Sequence, residues 1–294
     1  MFEIFGIPFQ ALFGQLLLGL INGSFYALLS LGLAVIFGML NIINFAHGAQ
    51  YMMGAFAAFL LLQAGINYWF ALILAPIVVG FTGVVIERLF LRRLYQLDHL
   101  YGLLLTFGLA LIIQGIFRHQ YGSSGLPYSM PESLQGGQNL GFIFLPNYRA
   151  WVVVFSLIVC FGTWFAIEKT RLGAYLRAAT ENPTLVRAFG INVPRMITLT
   201  YGFGVGLAAL AGVMAAPIYN VSPLMGADLI IVVFAVVVIG GMGSIMGAIV
   251  TGFALGLIEG LTKVFFPEAS NTVIFVIMVI VLLLRPAGLF GKAA

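Results

Sequence analysis

Between Glu3 and Glu87 the chain carries no Asp, Glu, Lys or Arg, and its first basic residue is Arg88. A water-facing surface needs roughly a quarter to a third of its residues charged, so this stretch cannot build one. The same poverty runs through all 294 residues, of which 62% are hydrophobic and only 7% charged. Lipid must therefore be the solvent for most of the chain. A cleaved secretory signal needs a basic segment ahead of one short apolar run, and the start has none, so it is expected to remain in the mature protein. The single cysteine excludes an internal disulfide and leaves the redox compartment open.

Apolar segments suited to crossing a hydrocarbon core of about 30 Å, which takes about 20 helical residues, recur along the whole length. They lie near Phe9–Phe37, Gly48–Gly65, Trp69–Glu87, Tyr101–Arg118, Trp151–Ile167, Met196–Tyr219, Leu229–Ile239, Ile245–Thr262 and Thr272–Leu284. Leu229–Thr262 is too long for one simple span and too short for two generous ones, and its Gly240-Gly241-Met242-Gly243-Ser244 centre suits a tight reversal or a broken helix. Runs such as Leu229–Ile239 are apolar on every side, whereas barrel strands alternate, so helices are the reading that leaves no open strand edge in lipid. The expected fold is all-α, a polytopic helical bundle of eight to ten membrane segments forming one transmembrane domain over residues 1–294.

Charge placement orients it. Lys169, Arg171, Arg177, Arg187 and Arg195 outweigh Glu168 and Glu181, and Arg88, Arg92 and Arg93 cluster in an earlier loop. Basic excess marks the cytoplasmic side, which also takes Arg285, Lys292 and the C-terminus. Residues 119–149 hold few charges and several prolines and glycines, and are expected outside. An external N-terminus with nine crossings fits these assignments together.

No G-x-x-x-x-G-K-[ST], H-E-x-x-H, C-x-x-C or G-x-S-x-G motif occurs, so no residue set points to a catalyst. In Gly241–Gly247 the last glycine falls one residue late for a dinucleotide loop. His47, His99 and His119 lie in separate segments without metal-ligand spacing, and no metal, resident cofactor or nucleic-acid partner is expected. His47 follows Asn41 and Asn44 and precedes Gln50 between two apolar stretches. Two readings stand for these four: a polar translocation or gating group, or side chains that tie down a helix entry. Asn22 and Gln114 carry the same ambiguity.

Small residues recur at four-residue spacing in Gly19/Gly23, Gly202/Gly206, Gly243/Gly247 and the series Gly252, Gly256 and Gly260. This spacing returns nearly to one helix face and removes bulk where another backbone can approach. Gly240, Gly241, Gly243 and Gly247 are equally suited to a helix break. Glu259 and Lys263 are placed for a local ion pair at the external edge, with contact to a substrate carboxylate or amine as the rival reading. Asp228 is expected to cap the helix that follows it.

Residues 168–195 are unlike the spans. Asn182 can cap a helix whose first position is Pro183, and Gly190 can close it after about two turns. Leu185 and Phe189 would share an apolar face beside Arg187. So short a helix is marginal alone, which makes docking on another surface a reason for it; a loop helix lying on its own bundle is the alternative.

Several separated segments, in order, resemble the integral permease subunits of branched-chain amino-acid ABC transporters. They are Gly38–Gly48, Thr170–Gly173 with Glu181-Asn182 and Gly190-Ile191, Gly240–Ala248, and Arg285–Gly291, and the resemblance spans nearly the whole chain. It implies a periplasmic substrate-binding protein, a second homologous permease subunit and two cytoplasmic ATP-binding subunits that hold ATP and Mg, in a bacterial inner membrane. By position, Glu181, Arg187 and Gly190 match the family's ATPase-coupling loop. Ala49-Gln50 stands where some members place an acidic residue soon after the glycine, which removes support for an acidic contact there. The implied mechanism is alternating access driven by ATP hydrolysis in the partners, with leucine, isoleucine and valine as leading cargo. Urea, short amides or other amino acids are the alternatives within the family, and an ion-coupled secondary transporter the alternative outside it.

Overall fold

A computed structural model describes residues 3–4, 7–95, 97–139, 141 and 143–291. Lys292, read above as a cytoplasmic marker, lies outside the described residues. Eleven α-helices dominate: α1 (Phe9–Leu40), α2 (Ala46–Gln63), α3 (Tyr68–Leu89), α4 (His99–Tyr121), α5 (Asn147–Glu168), α6 (Arg171–Glu181), α7 (Pro183–Ala188), α8 (Val193–Ala215), α9 (Ala227–Gly240), α10 (Ile245–Phe265) and α11 (Val273–Leu284). Two small antiparallel pairs accompany them, β1 (Glu3–Ile4) with β2 (Ile7–Pro8), and β3 (Gly137–Asn139) with β4 (Phe144–Pro146). Six helices, α1, α3, α4, α5, α8 and α10, are long and apolar enough to cross a membrane among the described residues, while α9 and α11 are shorter apolar helices.

Local chemistry sets the ends. Asn67, Asp98, Asn182, Asn192 and Ser244 each accept a backbone N–H from the first turn of the helix that follows. Asp228 does not cap α9: the helix starts at Ala227 with Gly226 as its cap, leaving Asp228 inside the first turn, where its charge still favours the helix dipole. At α9–α10 the chain reverses in a tight turn through Gly241 and Gly243, whose φ of 100° and 81° suit glycine.

α1 is the spine, with α10 along one side and α8 along another. Gly38 lies against Gly243 and Gly260 against Gln15, so α1 and α10 run antiparallel. The remaining packing has an internal echo. α1, α2 and α3 form a long helix, a break, a shorter helix and another long helix, and α8, α9 and α10 repeat this order. α1 packs on α10 as α3 packs on α8, and α2 meets α4 as α9 meets α11. This is the contact pattern of two similar units running in opposite directions, an arrangement that places the two interrupted segments together in the middle.

One end of the bundle is basic, gathering Arg88, Arg92, Arg93, Lys169 and α6. The other is rich in Tyr and Trp, with Tyr68, Trp69, Tyr148 and Trp151 in mutual edge and tilted contacts.

Candidate functional site

The chain breaks after Leu40, where Asn41 takes φ 50°, the left-handed conformation that asparagine tolerates better than most residues. It re-enters the bundle instead of continuing outward. The Thr106 hydroxyl accepts the Phe45 N–H at 3.1 Å and donates to the Ile43 carbonyl at 3.2 Å, supplying partners that the broken helix lacks. α2 then starts inside the protein. Its His47 is fully buried, with Nε2 donating to the Leu29 carbonyl of α1 at 3.0 Å. Because Nε2 is the donor, Nδ1 of the neutral ring is an acceptor, and it has no well-aligned partner.

Asn44 and Gln50 meet at the same place, the Asn44 amide donating to Gln50 Oε1 at 3.1 Å. Asn44 Oδ1, Gln50 Nε2 and the Tyr201 hydroxyl of α8 are likewise buried without good hydrogen bonds, although Gln50 lies beside both His47 and Tyr201. Four incompletely satisfied polar side chains at one helix break carry a standing cost that ordinary packing would remove. Asn41 is separated from this group, exposed at the basic end. Gln114 is half-buried on α4.

The break at α2 faces the one at α9. Gly48 sits so close to Gly226 that a Cβ on either would overlap the other's backbone. The glycine turn lies at the basic end, where Gly240 packs on Gly247 and Gly243 on Gly38. The terminal segment closes this turn: the Leu289 and Phe290 N–H groups donate to the carbonyls of Ile239 and Gly240 at 2.8 and 3.0 Å, capping α9. Sequence reasoning marked Arg285–Gly291 as a motif but could not see this task, because its partners lie some fifty residues upstream. Gly252, Gly256 and Gly260 line the α10 face against Ala27, Gly23, Gly19 and Gln15 of α1.

At the far end of α10, Glu259 is only 5% exposed and does more than pair with Lys263. It accepts from Tyr26 Oη at 2.6 Å and from Asn22 Nδ2 at 3.3 Å, and Tyr219 Oη donates to Asn22 Oδ1 at 2.9 Å. Glu87, which the sequence marks only as the end of the charge-free stretch, is a second buried carboxylate, held by Tyr95 Oη at 2.6 Å and Thr198 Oγ1 at 2.7 Å. Burial and the adjacent Glu87 raise the ionisation of Tyr95 well above that of a free phenol.

In the basic segment, Asn182 Oδ1 accepts the Leu185 N–H at 3.0 Å and Pro183 opens α7. Gly190, at φ 79°, ends it. Val186 anchors α7 by burying against Ala179 and Val193, while Leu185 and Phe189 remain 54% and 76% exposed. Glu181, Asn182, Arg187 and Gly190 are exposed around them. Beside α6 opens a cavity of about 490 Å³ at the basic end, walled by α1, α5, α6, α8, the α9–α10 turn and the terminal segment. No group of three His, Cys, Asp or Glu residues able to hold a metal occurs among the described residues.

Helices interrupted inside lipid persist only where protein or a passage surrounds them. That restriction, with polar groups left wanting partners at the interruption, puts the chain among polytopic membrane transport proteins. The family model described as "Branched-chain amino acid transport system / permease component" matches residues 15–282, and the chain belongs to that family. It is 32% identical over 292 residues to the high-affinity branched-chain amino acid transport system permease protein BraD of Pseudomonas aeruginosa, covering 95% of each chain. To the high-affinity branched-chain amino acid transport system permease protein LivH of Escherichia coli K12 it is 30% identical over 300 residues, again 95% of each. The protein named "Probable branched-chain amino acid transport permease protein LivM" of Methanocaldococcus jannaschii is 25% identical, over 91% of this chain and 90% of its own. No solved structure matches.

Proposed function

We propose that this chain is the membrane-crossing subunit of an ATP-driven importer that passes leucine, isoleucine and valine across a bacterial inner membrane. The cargo follows the names of BraD and LivH. The resemblance of one chain to both LivH and LivM supports pairing with a second, homologous permease subunit. Two ATP-binding subunits on the cytoplasmic face hold ATP and Mg, and a periplasmic binding protein delivers substrate. The basic end is cytoplasmic and takes the C-terminus; the N-terminus and residues 119–149 are external, and nine crossings result when α2, α9 and α11 are counted.

The observation that carries this reading is α7: a capped helix anchored by Val186 that presents Leu185 and Phe189 to solvent on the basic face. Exposed apolar side chains outside lipid are what a docking ATPase covers. Residues 168–195 act as the coupling segment, with Glu181, Asn182, Arg187 and Gly190 shaping the contact. Movement of α7 passes through the Val186–Val193 contact into α8, and so to Tyr201 beside Gln50, which in turn meets Asn44 and His47. There, rearrangement of unsatisfied polar groups at the α1–α2 break opens the passage to one face or the other.

The test is uptake by the complete reconstituted complex from a panel of leucine, isoleucine, valine, neutral polar amino acids and urea, with and without ATP. ATP-dependent uptake confined to the branched-chain compounds is expected. Uptake driven by an ion gradient in vesicles of this chain alone would overturn the reading. Replacing Leu185 and Phe189 with serine should reduce copurification of the ATPase and substrate-stimulated hydrolysis, and an assembled double variant unchanged in both would remove α7 from coupling.

A further inference from the structure

We propose that the basic-end cavity binds a zwitterionic amino acid with an apolar side chain, and that its occupancy slows the transport cycle. This rests on the importer reading, since that end is where such a compound is delivered, and it adds a site which that reading does not require.

The cavity's volume of about 490 Å³ lies within the range of small-molecule sites. Its lining combines charged and polar side chains with apolar ones. Arg177 and Glu168 face each other at 3.5 Å, both about half exposed. That separation is at the outer limit of a hydrogen bond, and so exposed a pair holds together weakly. Arg177 does not swing freely, because Nη1 also donates to the Ile167 carbonyl at 3.0 Å. A fixed guanidinium beside a carboxylate offers complementary charge to an α-carboxylate and an α-ammonium on adjacent atoms of one ligand. Val35, Phe37, Ile245 and Phe290 line the same cavity and offer apolar surface for the side chain. A carboxylic acid or an amine alone would satisfy only one of the two charges and leave the other competing with it.

The elements around the cavity give occupancy its consequence. Arg177 sits on α6, which runs through Asn182 directly into α7, whereas those apolar residues belong to α1, α10 and the terminal segment. A ligand bridging them ties the coupling segment to the bundle and stabilises the arrangement in which the cavity is formed. Accumulated product would then restrain its own import.

Cys160 is buried and is the chain's single cysteine, whereas Thr180 lies exposed on the cavity rim. Thr180→Cys in the complete complex, with partner-subunit cysteines replaced and without the binding protein, therefore gives one accessible thiol. Millimolar leucine should slow its maleimide labelling about fivefold or more, and isovalerate or isoamylamine should not. Glu168→Gln and Arg177→Gln, each added to Thr180→Cys, should abolish the protection, measured for each variant against its own labelling rate without leucine. Leucine sealed inside proteoliposomes should lower ATP hydrolysis, and the two variants should relieve the effect. Protection that survives both variants, equal protection by isovalerate and isoamylamine, or a thiol silent in the assembled complex because a partner covers it, would each overturn the proposal. ATP-dependent leucine uptake measured on the same preparation reports separately on the importer reading.

Discussion

The Tyr26 hydroxyl donates to the Glu259 carboxylate at 2.6 Å, joining α1 to α10 across 233 positions of sequence. Asn22 and Lys263 complete a buried anion whose charge is shared by three donors. Tyr26→Phe removes one of them and should cost about 0.6–1.7 kcal/mol, the size of an interhelical hydrogen bond in a membrane protein. Glu259→Leu strips the acceptor from all three and should cost more. Thermal unfolding in detergent compares the two, and a Tyr26→Phe loss equal to that of Glu259→Leu would mean the carboxylate is not the centre of the group.

Gly252 leaves no space for a side chain, since a Cβ there would lie 2.6 Å from the Cα of Ala27. Gly108 on α4 faces open space, with nothing within 4 Å. Gly252→Val should therefore force α1 and α10 apart and abolish recovery of folded protein, while Gly108→Val should leave it nearly unchanged. Size-exclusion profiles of the two variants check this, and equal profiles would contradict the close α1–α10 packing.

Gly288 combines a φ of 81° with a position where a Cβ would lie 2.6 Å from Gly241 Cα. Gly288→Ala should lose about 1–2 kcal/mol from the left-handed backbone alone, with the clash added to it. Because the Leu289 and Phe290 N–H groups donate to the end of α9, the loss should appear first as faster exchange of those two amides. Exchange there at the parent rate would show that the cap survives.

Tyr128, in the connection between α4 and α5, has a buried hydroxyl without a hydrogen-bond partner, and burial pushes its ionisation up to about 12. An unfolded chain releases that proton near pH 10. The folded state thus holds a proton that the unfolded state gives up, so the stabilisation is complete below pH 10 and is lost as the pH rises through 12. Tyr128→Phe lacks this titration and breaks no hydrogen bond. It should melt no lower than the parent near pH 8, and gain on it between about pH 10 and pH 12. A melting difference that stays constant across that window would exclude the effect.

What the sequence determined by itself was local or set by solvent. A chain without charge from Ile4 to Ile86 has to be lipid-embedded helix, and the spans inferred from apolar runs coincide with helices to within a few residues. Asn182-Pro183 and Gly190 state the limits of α7 in adjacent residues, and glycines four apart declare a face stripped of bulk. The tertiary structure decided everything that depends on separated residues meeting. It placed Glu259, read as a local pair with Lys263, under Tyr26 and Asn22. It gave Glu87 its hydroxyl partners, brought Tyr201 to Gln50, and turned Arg285–Gly291 into the cap of α9. Among the described residues six helices are long and apolar enough to cross a membrane, whereas α9 and α11 are shorter apolar helices. The reason is physical: an apolar pattern reports which atoms avoid water, but lipid and protein interior are equally dry. Only the packed fold distinguishes a helix that faces lipid from one that faces another helix.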